Sequence, residues 1–131
     1  MSSQQSKPCS KLAILLWAAT PERPELCATP FLHATAAAAL DCEVEIHFGG
    51  YATRLLIAGE AERLFAGGKP IYAFMREAAN LGVRFIGCAM ALQAHVREGE
   101  TYIPEYSAGA SASITDFVLR TLDPEWATLV F

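Results

Sequence analysis

Residues 11–17 read Lys-Leu-Ala-Ile-Leu-Leu-Trp, a nearly unbroken apolar run. A strand with one wet face alternates polar and apolar residues, whereas a strand covered on both faces reads as continuous Val, Ile and Leu. The run therefore predicts a parallel sheet with helices packed on it. Residues 42–48, Cys-Glu-Val-Glu-Ile-His-Phe, do alternate. Val44, Ile46 and Phe48 share one face, and Glu43, Glu45 and His47 share the other, which predicts a strand with a wetter face near a sheet edge or a subunit contact.

The remaining elements follow from periodicity and breakers. Thr20 before Pro21 predicts a helix N-cap, with acidic residues in the first turn and a helix running to about Leu40. Pro30 lies inside that span and predicts a kink or a restart, with the first turn as a separate short segment. Gly49-Gly50 closes the second strand as a tight turn, since no phosphate-binding glycine pattern surrounds the pair. Residues 51–58 predict a short helix, and residues 59–69 a loop with one helical turn around 61–65. Pro70 opens a clear helix carrying Ile71, Phe74, Met75 and Ala78 at helical spacing, and Gly82 caps its end. A buried strand over 83–87 leads into a helix over 89–95, followed by a turn at 97–100 and a polar, aromatic loop at 101–107. Small residues at 107–113 lead into a helix through Ile114, Phe117, Val118 and Leu122, ended by Asp123-Pro124. Residues 126–131 predict a terminal strand. This order of elements is that of an α/β sandwich with a mostly parallel sheet of four to five strands. It forms one domain over residues 11–131 after a flexible start at 1–10.

The chemistry converges on Cys88, at the joint between the 83–87 strand and the 89–95 helix. A thiol there faces the unpaired N–H groups and the positive dipole end of the helix, a setting that favours thiolate. Open α/β sheets place their sites at the carboxyl ends of strands. The same ends bring in residues 18–20 and 47–50, so His47 is the candidate partner for the thiolate. The bland alternatives are a buried, inert Cys88 and a bystander His47. His95 lies two helical turns on, roughly 10 Å along the axis, beyond the reach of a general base. Arg84 lies four residues earlier in a strand, about 13 Å away, and is not the local cation either. No serine triad, zinc motif or carboxylate pair fits the spacings, which leaves the chemistry of sulfur.

Composition narrows the partners. The net charge is −4 and there is no Lys/Arg run, so the electrostatic footprint of nucleic-acid binding is missing. The hydrophobic fraction is 53% and the charged fraction 18%, which leaves little polar cover and predicts a homo-oligomer. Apolar runs fall short of the roughly 20 residues that cross a bilayer, and residues 1–10 lack the apolar core of a signal peptide. A cytoplasmic protein is expected. Its cysteines at 9, 27, 42 and 88 are expected as free thiols, with no structural metal and no cofactor.

Four stretches together resemble the DsrE/DsrF-like (YchN-like, TusD/DsrE) superfamily of small sulfur-handling proteins, over about residues 11–131. They are K-L-A-I-L-L-W, V-E-I-H-F-G-G-Y, G-V-R-F-I-G-C-A-M-A-L-Q-A-H-V-R-E-G, and the small-residue helix before the closing A-T-L-V-F. The third is the most specific, because the sulfur-carrying cysteine of the family occupies the place of Cys88. The chain departs from the pattern at residues 19–26, A-T-P-E-R-P-E-L, and has no second cysteine near Cys88 in sequence. The resemblance implies a three-layer α/β/α sandwich, a trimer or hexamer, and a persulfide on Cys88 passed to or from a partner protein. Two other functions compete with that one. The first is a non-catalytic binding or regulatory subunit with a strand-end pocket. The second is a thiol oxidoreductase in which Cys27 or Cys42 approaches Cys88 in three dimensions.

Overall fold

The computed structural model describes residues 10–107 and 109–131. The start at 1–10 therefore lies outside the described residues apart from Ser10, and so does Cys9. In chain order the elements are β1 (Lys11–Leu16), α1 (Ala28–Ala39), β2 (Glu43–Phe48), a two-stranded hairpin of β3 (Phe65–Ala66) and β4 (Lys69–Pro70), α2 (Ile71–Asn80), β5 (Arg84–Cys88), α3 (Ala89–His95), β6 (Ser111–Ala112), α4 (Ile114–Leu122) and β7 (Trp126–Val130). The main sheet has the order β6-β5-β2-β1-β7 and every pair in it is parallel. The expected sheet of four to five strands thus has five. Its fifth member, β6, is a two-residue strand inside the small-residue stretch that composition marked only as a lead into α4.

One face of the sheet carries Leu12, Ile14, Leu16, Val44, Ile46, Phe48 and Phe85, all buried in the main core. Phe31 and Ala34 of α1 and Ile71, Met75 and Ala78 of α2 complete that layer. Phe48 and Phe85 meet edge to face at 5.4 Å between ring centroids, and Phe31 stands 6.1 Å from both. The other face is covered by α4, which packs over β1 and β7. Helices on both sides of the sheet make the three layers.

Two expectations change. The first turn is the separate short segment expected, a 3-10 turn at Pro24–Leu26, but Cys27 rather than Thr20 precedes the continuous helix. Pro30 then falls in the first turn of α1, where its missing N–H costs no hydrogen bond. The larger correction concerns β2. It lies in the middle of the sheet between β1 and β5, not at an edge, and its supposedly wet face is covered. Glu45 is 0% and His47 6% exposed. The reason is long-range: α4 lies over that face, and the polar groups there find partners of opposite charge.

Both core-side helices end in the same motif. At the end of α1 the Asp41 N–H donates to the Ala38 carbonyl and the Cys42 N–H to that of Ala37, each at 3.0 Å. At the end of α2, the Gly82 N–H donates to Ala79 and the Val83 N–H to Ala78. This double return is a Schellman cap, which places its turning residue in the left-handed region. Gly82 has φ +92° and Asp41 has φ +68°.

Candidate functional site

The site grows from the way β5 ends. Gly87 pairs with Phe48 of β2, and its missing side chain is a packing requirement. A Cβ at this position would lie 2.7 Å from Leu92 Cδ1 and 2.8 Å from the Tyr106 hydroxyl. Tyr106 donates in turn to the Ala110 carbonyl at 3.1 Å, and burial pushes its phenol upward. The bare backbone at Gly87 lets α3 fold down immediately, so that Cys88, half-buried, becomes its N-cap. The opposite end of α3 is held by Arg54, which is 2% exposed and donates from Nη1 to the His95 carbonyl at 2.9 Å. Arg54 also grips Glu100 through Nη1 and Nη2 and reaches Glu60 at 2.9 Å. The Arg54 hydrogen bond holds the Glu100 carboxyl down at about 2.

Beside Cys88, over the carboxyl ends of β1, β2 and β5, opens a pocket of about 410 Å³. Leu15, Trp17, Phe48, Met90, Ile114 and Phe117 supply most of its wall, with His47 and Cys88 in the lining. Trp17 lies against the backbone of Gly50, where a Cβ would come within 3.1 Å of the indole and where φ is +53°. The glycine pair after β2 is therefore a seat for an aromatic side chain as well as the expected turn.

His47 and Cys88 lie on the same face of the sheet, because His47 is in register with Ile86 and Cys88 is two residues further along β5. Both line the pocket. The imidazole is engaged elsewhere: Nε2 pairs with Glu45 Oε1 at 3.0 Å, and the ring stands edge-on to Phe117 at 5.3 Å. Glu45 is the centre of a second, polar group. Arg84 Nη1 donates to its Oε2 at 3.0 Å, and Arg120 donates to both oxygens at 3.1 Å. Burial pushes the Glu45 carboxyl up, but the hydrogen bonds from His47 and Arg120 and the charge of Arg120 outweigh it and hold the group at about 2. A smaller cavity of about 220 Å³, lined by Glu45, Arg84, Ser111, Asp116 and Arg120, lies on that side. His47 lines both cavities.

The other sequence candidates fall elsewhere. His95 sits at the far end of α3, edge-on to Tyr51 at 5.3 Å. Cys27 is buried in the core and burial, with the charge of Glu25, pushes its thiol up to about 11. Cys42 stands before the amino end of β2, six residues or roughly 20 Å from the row that holds Gly87. Neither stands beside Cys88, so the thiol-oxidoreductase reading finds no resolving partner among the described residues. Sequence reasoning missed Arg54, whose signal was a lone charge in the apolar stretch 51–57. It also missed the rim residues Met90 and Ile114, which lie in the first turns of α3 and α4 just after Cys88 and Ser113, where sequence pattern marks only a helix.

With this topology in hand, the likeness to solved structures is decisive for the architecture. The crystal structure of the YchN protein from E. coli superposes with a TM-score of 0.70 over 93% of this chain and 98% of that one, at 12% identity. The fold is that of YchN. MTH1491 from Methanobacterium thermoautotrophicum, a protein of unknown function, shares it with a TM-score of 0.59 over 92% of this chain and 98% of its own, at 16% identity. No protein-family model and no curated protein matches the sequence. The likeness to YchN bears out the fold implied by the sequence resemblance and speaks to the fold alone. No helix is long and apolar enough to cross a membrane among the described residues.

Proposed function

We propose that this protein carries sulfane sulfur on Cys88. The observation that supports it is the position of the thiol, half-buried in the wall of a pocket at the carboxyl end of a parallel sheet and at the first turn of α3. Sites in such sheets gather there, and the leading N–H groups of a helix lack intrahelical partners.

The exchange needs no outside oxidant or reductant. The Cys88 thiolate attacks the outer sulfur of a donor persulfide, R–S–SH. A new S–S bond forms as the donor's S–S bond breaks, and the donor leaves as R–S⁻ with the electron pair. Cys88 retains the sulfur as Cys88–S–SH, and an acceptor thiolate reverses the exchange. Partner proteins are the proposed donor and acceptor. His47, hydrogen-bonded to Glu45, lines the same pocket as the thiol, and its part in proton handling is read from the pH profile of His47→Gln.

Incubation with a sulfane donor is expected to add one sulfur atom to the intact mass, removable by dithiothreitol and lost in Cys88→Ser. No adduct with any donor would reject the proposal. A second reading, a non-catalytic binding subunit, is favoured by the pocket itself, which has the size of a small-molecule site. It predicts unchanged ligand or partner binding in Cys88→Ser.

We also propose that the chain assembles as a trimer or hexamer. The solvent side of α4 exposes Val118, Leu119 and Leu122, and β7 exposes Leu129 and Val130, an apolar surface of the kind that oligomers cover.

A further inference from the structure

Of the two cavities, the polar one is internally balanced. Arg84 and Arg120 are both committed to Glu45, and Asp116 accepts from the backbone of Ser113 at 2.8 Å. The apolar one has the opposite character. Among the described residues no Asp, Glu, Lys or Arg lines it, and the ionisable groups in its lining are Cys88 and the imidazole already bonded to Glu45. Charge is thus segregated to one side of His47 and apolar surface to the other. The walls are also preformed, with Trp17 seated on Gly50 and α3 seated on Gly87.

We infer that this pocket binds the organic group of a small, uncharged disulfide or polysulfide, so that Cys88 selects apolar sulfur compounds over charged or hydrophilic ones. The inference rests on the proposed nucleophilic role of Cys88 and adds the substrate class. The volume, about 410 Å³, lies within the range of small-ligand sites and can hold an aryl group next to the sulfur. A carboxylate or sulfonate placed there would lose its hydration and meet no lysine or arginine among the described residues to replace it. For a diaryl disulfide the step is Cys88–S⁻ + Ar–S–S–Ar → Cys88–S–S–Ar + Ar–S⁻. One S–S bond forms, one breaks, and the leaving arenethiolate takes the electron pair.

The experiment compares the rates of three probes at Cys88, each taken as the difference between the native protein and Cys88→Ser. The probes are a neutral dipyridyl disulfide, neutral hydroxyethyl disulfide and dianionic dithiobis(nitrobenzoate). Each rate is divided by that of free cysteine, which removes intrinsic reactivity, and the two neutral probes remove the effect of the protein's negative charge. The dipyridyl probe is expected to gain about tenfold or more over the hydroxyethyl probe, the scale of burying one aromatic ring's worth of apolar area. Ile114→Glu places a carboxylate at the rim, at an exposed first-turn position where an acidic residue suits the helix, and is expected to lower that ratio. In Cys88→Ser, diphenyl sulfide, which has no S–S bond to exchange, is expected to quench Trp17 fluorescence in a saturable way. Equal normalised rates with sulfur uptake intact would overturn the substrate class and leave the carrier function standing. A preference that appears only on dilution would give the pocket to a second copy and likewise overturn it. No reaction of Cys88 with any probe or sulfane donor would overturn both.

Discussion

Glu45 shows how much of this molecule is decided by single side chains far apart in sequence. Its carboxylate accepts from Arg120, 75 residues away, and from Arg84, 39 residues away, and it also orients His47. Removing only the charge, in Glu45→Gln, leaves the partly exposed guanidiniums of Arg84 and Arg120 close together without their buried counter-ion. The expected loss is about 1 to 2 kcal/mol, since solvent screens both arginines in part, measured by urea unfolding. The pH dependence has a definite sign. The group titrates at about 2 in the folded protein against an ordinary 4.5, so its contribution is fully present above about 4.5 and is lost as pH falls toward 2. Thermal midpoints are expected to drop between pH 5 and 2, with a shallower drop in Glu45→Gln. At this scale the sequence was half legible. The alternation in β2 put Glu45 and His47 on the correct common face, and Cys88 was placed at the joint it occupies. The burial of that face was not legible, because nothing local in Glu43–Phe48 announces an arginine on α4.

Among the elements, the two Schellman caps make a matched pair. The same backbone turn is filled by Gly82 in one helix and by Asp41 in the other, and a side chain in the left-handed region costs about 1 kcal/mol. Asp41→Gly is therefore expected to stabilise the protein by about 0.5 to 1 kcal/mol, and Gly82→Ala to destabilise it by about 1 kcal/mol, in denaturant titrations. Equal effects of the same sign would contradict the pairing. The short helix α3 is a different case, since seven residues are too few to persist without tertiary support. Arg54 supplies that support at the His95 carbonyl. Arg54→Leu is expected to cost about 2 to 3 kcal/mol by removing the buried guanidinium that ties Glu60 and Glu100 to the His95 carbonyl, and to raise hydrogen exchange in α3 ahead of β1 and β2. Periodicity located all four helices, with α1 starting later than its cap signal suggested. It missed β6 and the β3–β4 hairpin, read as loop, because two residues of pairing leave no pattern to read.

For the molecule as a whole, the all-parallel sheet sends every strand's carboxyl end toward one edge, and the candidate site lies on that edge. Legibility was greatest here, since the continuous apolar run of β1 and the alternating order of strands and helices admit few other architectures. What lies outside α4 is a matter of assembly. Leu119 is 57% and Leu122 74% exposed. If they meet other copies, Leu119→Glu with Leu122→Glu should reduce the light-scattering mass to that of one chain while the far-ultraviolet circular dichroism stays unchanged. A native protein already at monomer mass would refute the assembly proposal. The bare backbone at Gly87 leaves an asymmetry for anyone reshaping the pocket. On the sheet side even one added methyl collides with Leu92 and Tyr106, so the nucleophile's mounting changes there only if both side chains shift first. Freedom to retune what enters belongs to the opposite bank, at Met90 and Ile114, where a new side chain displaces only water.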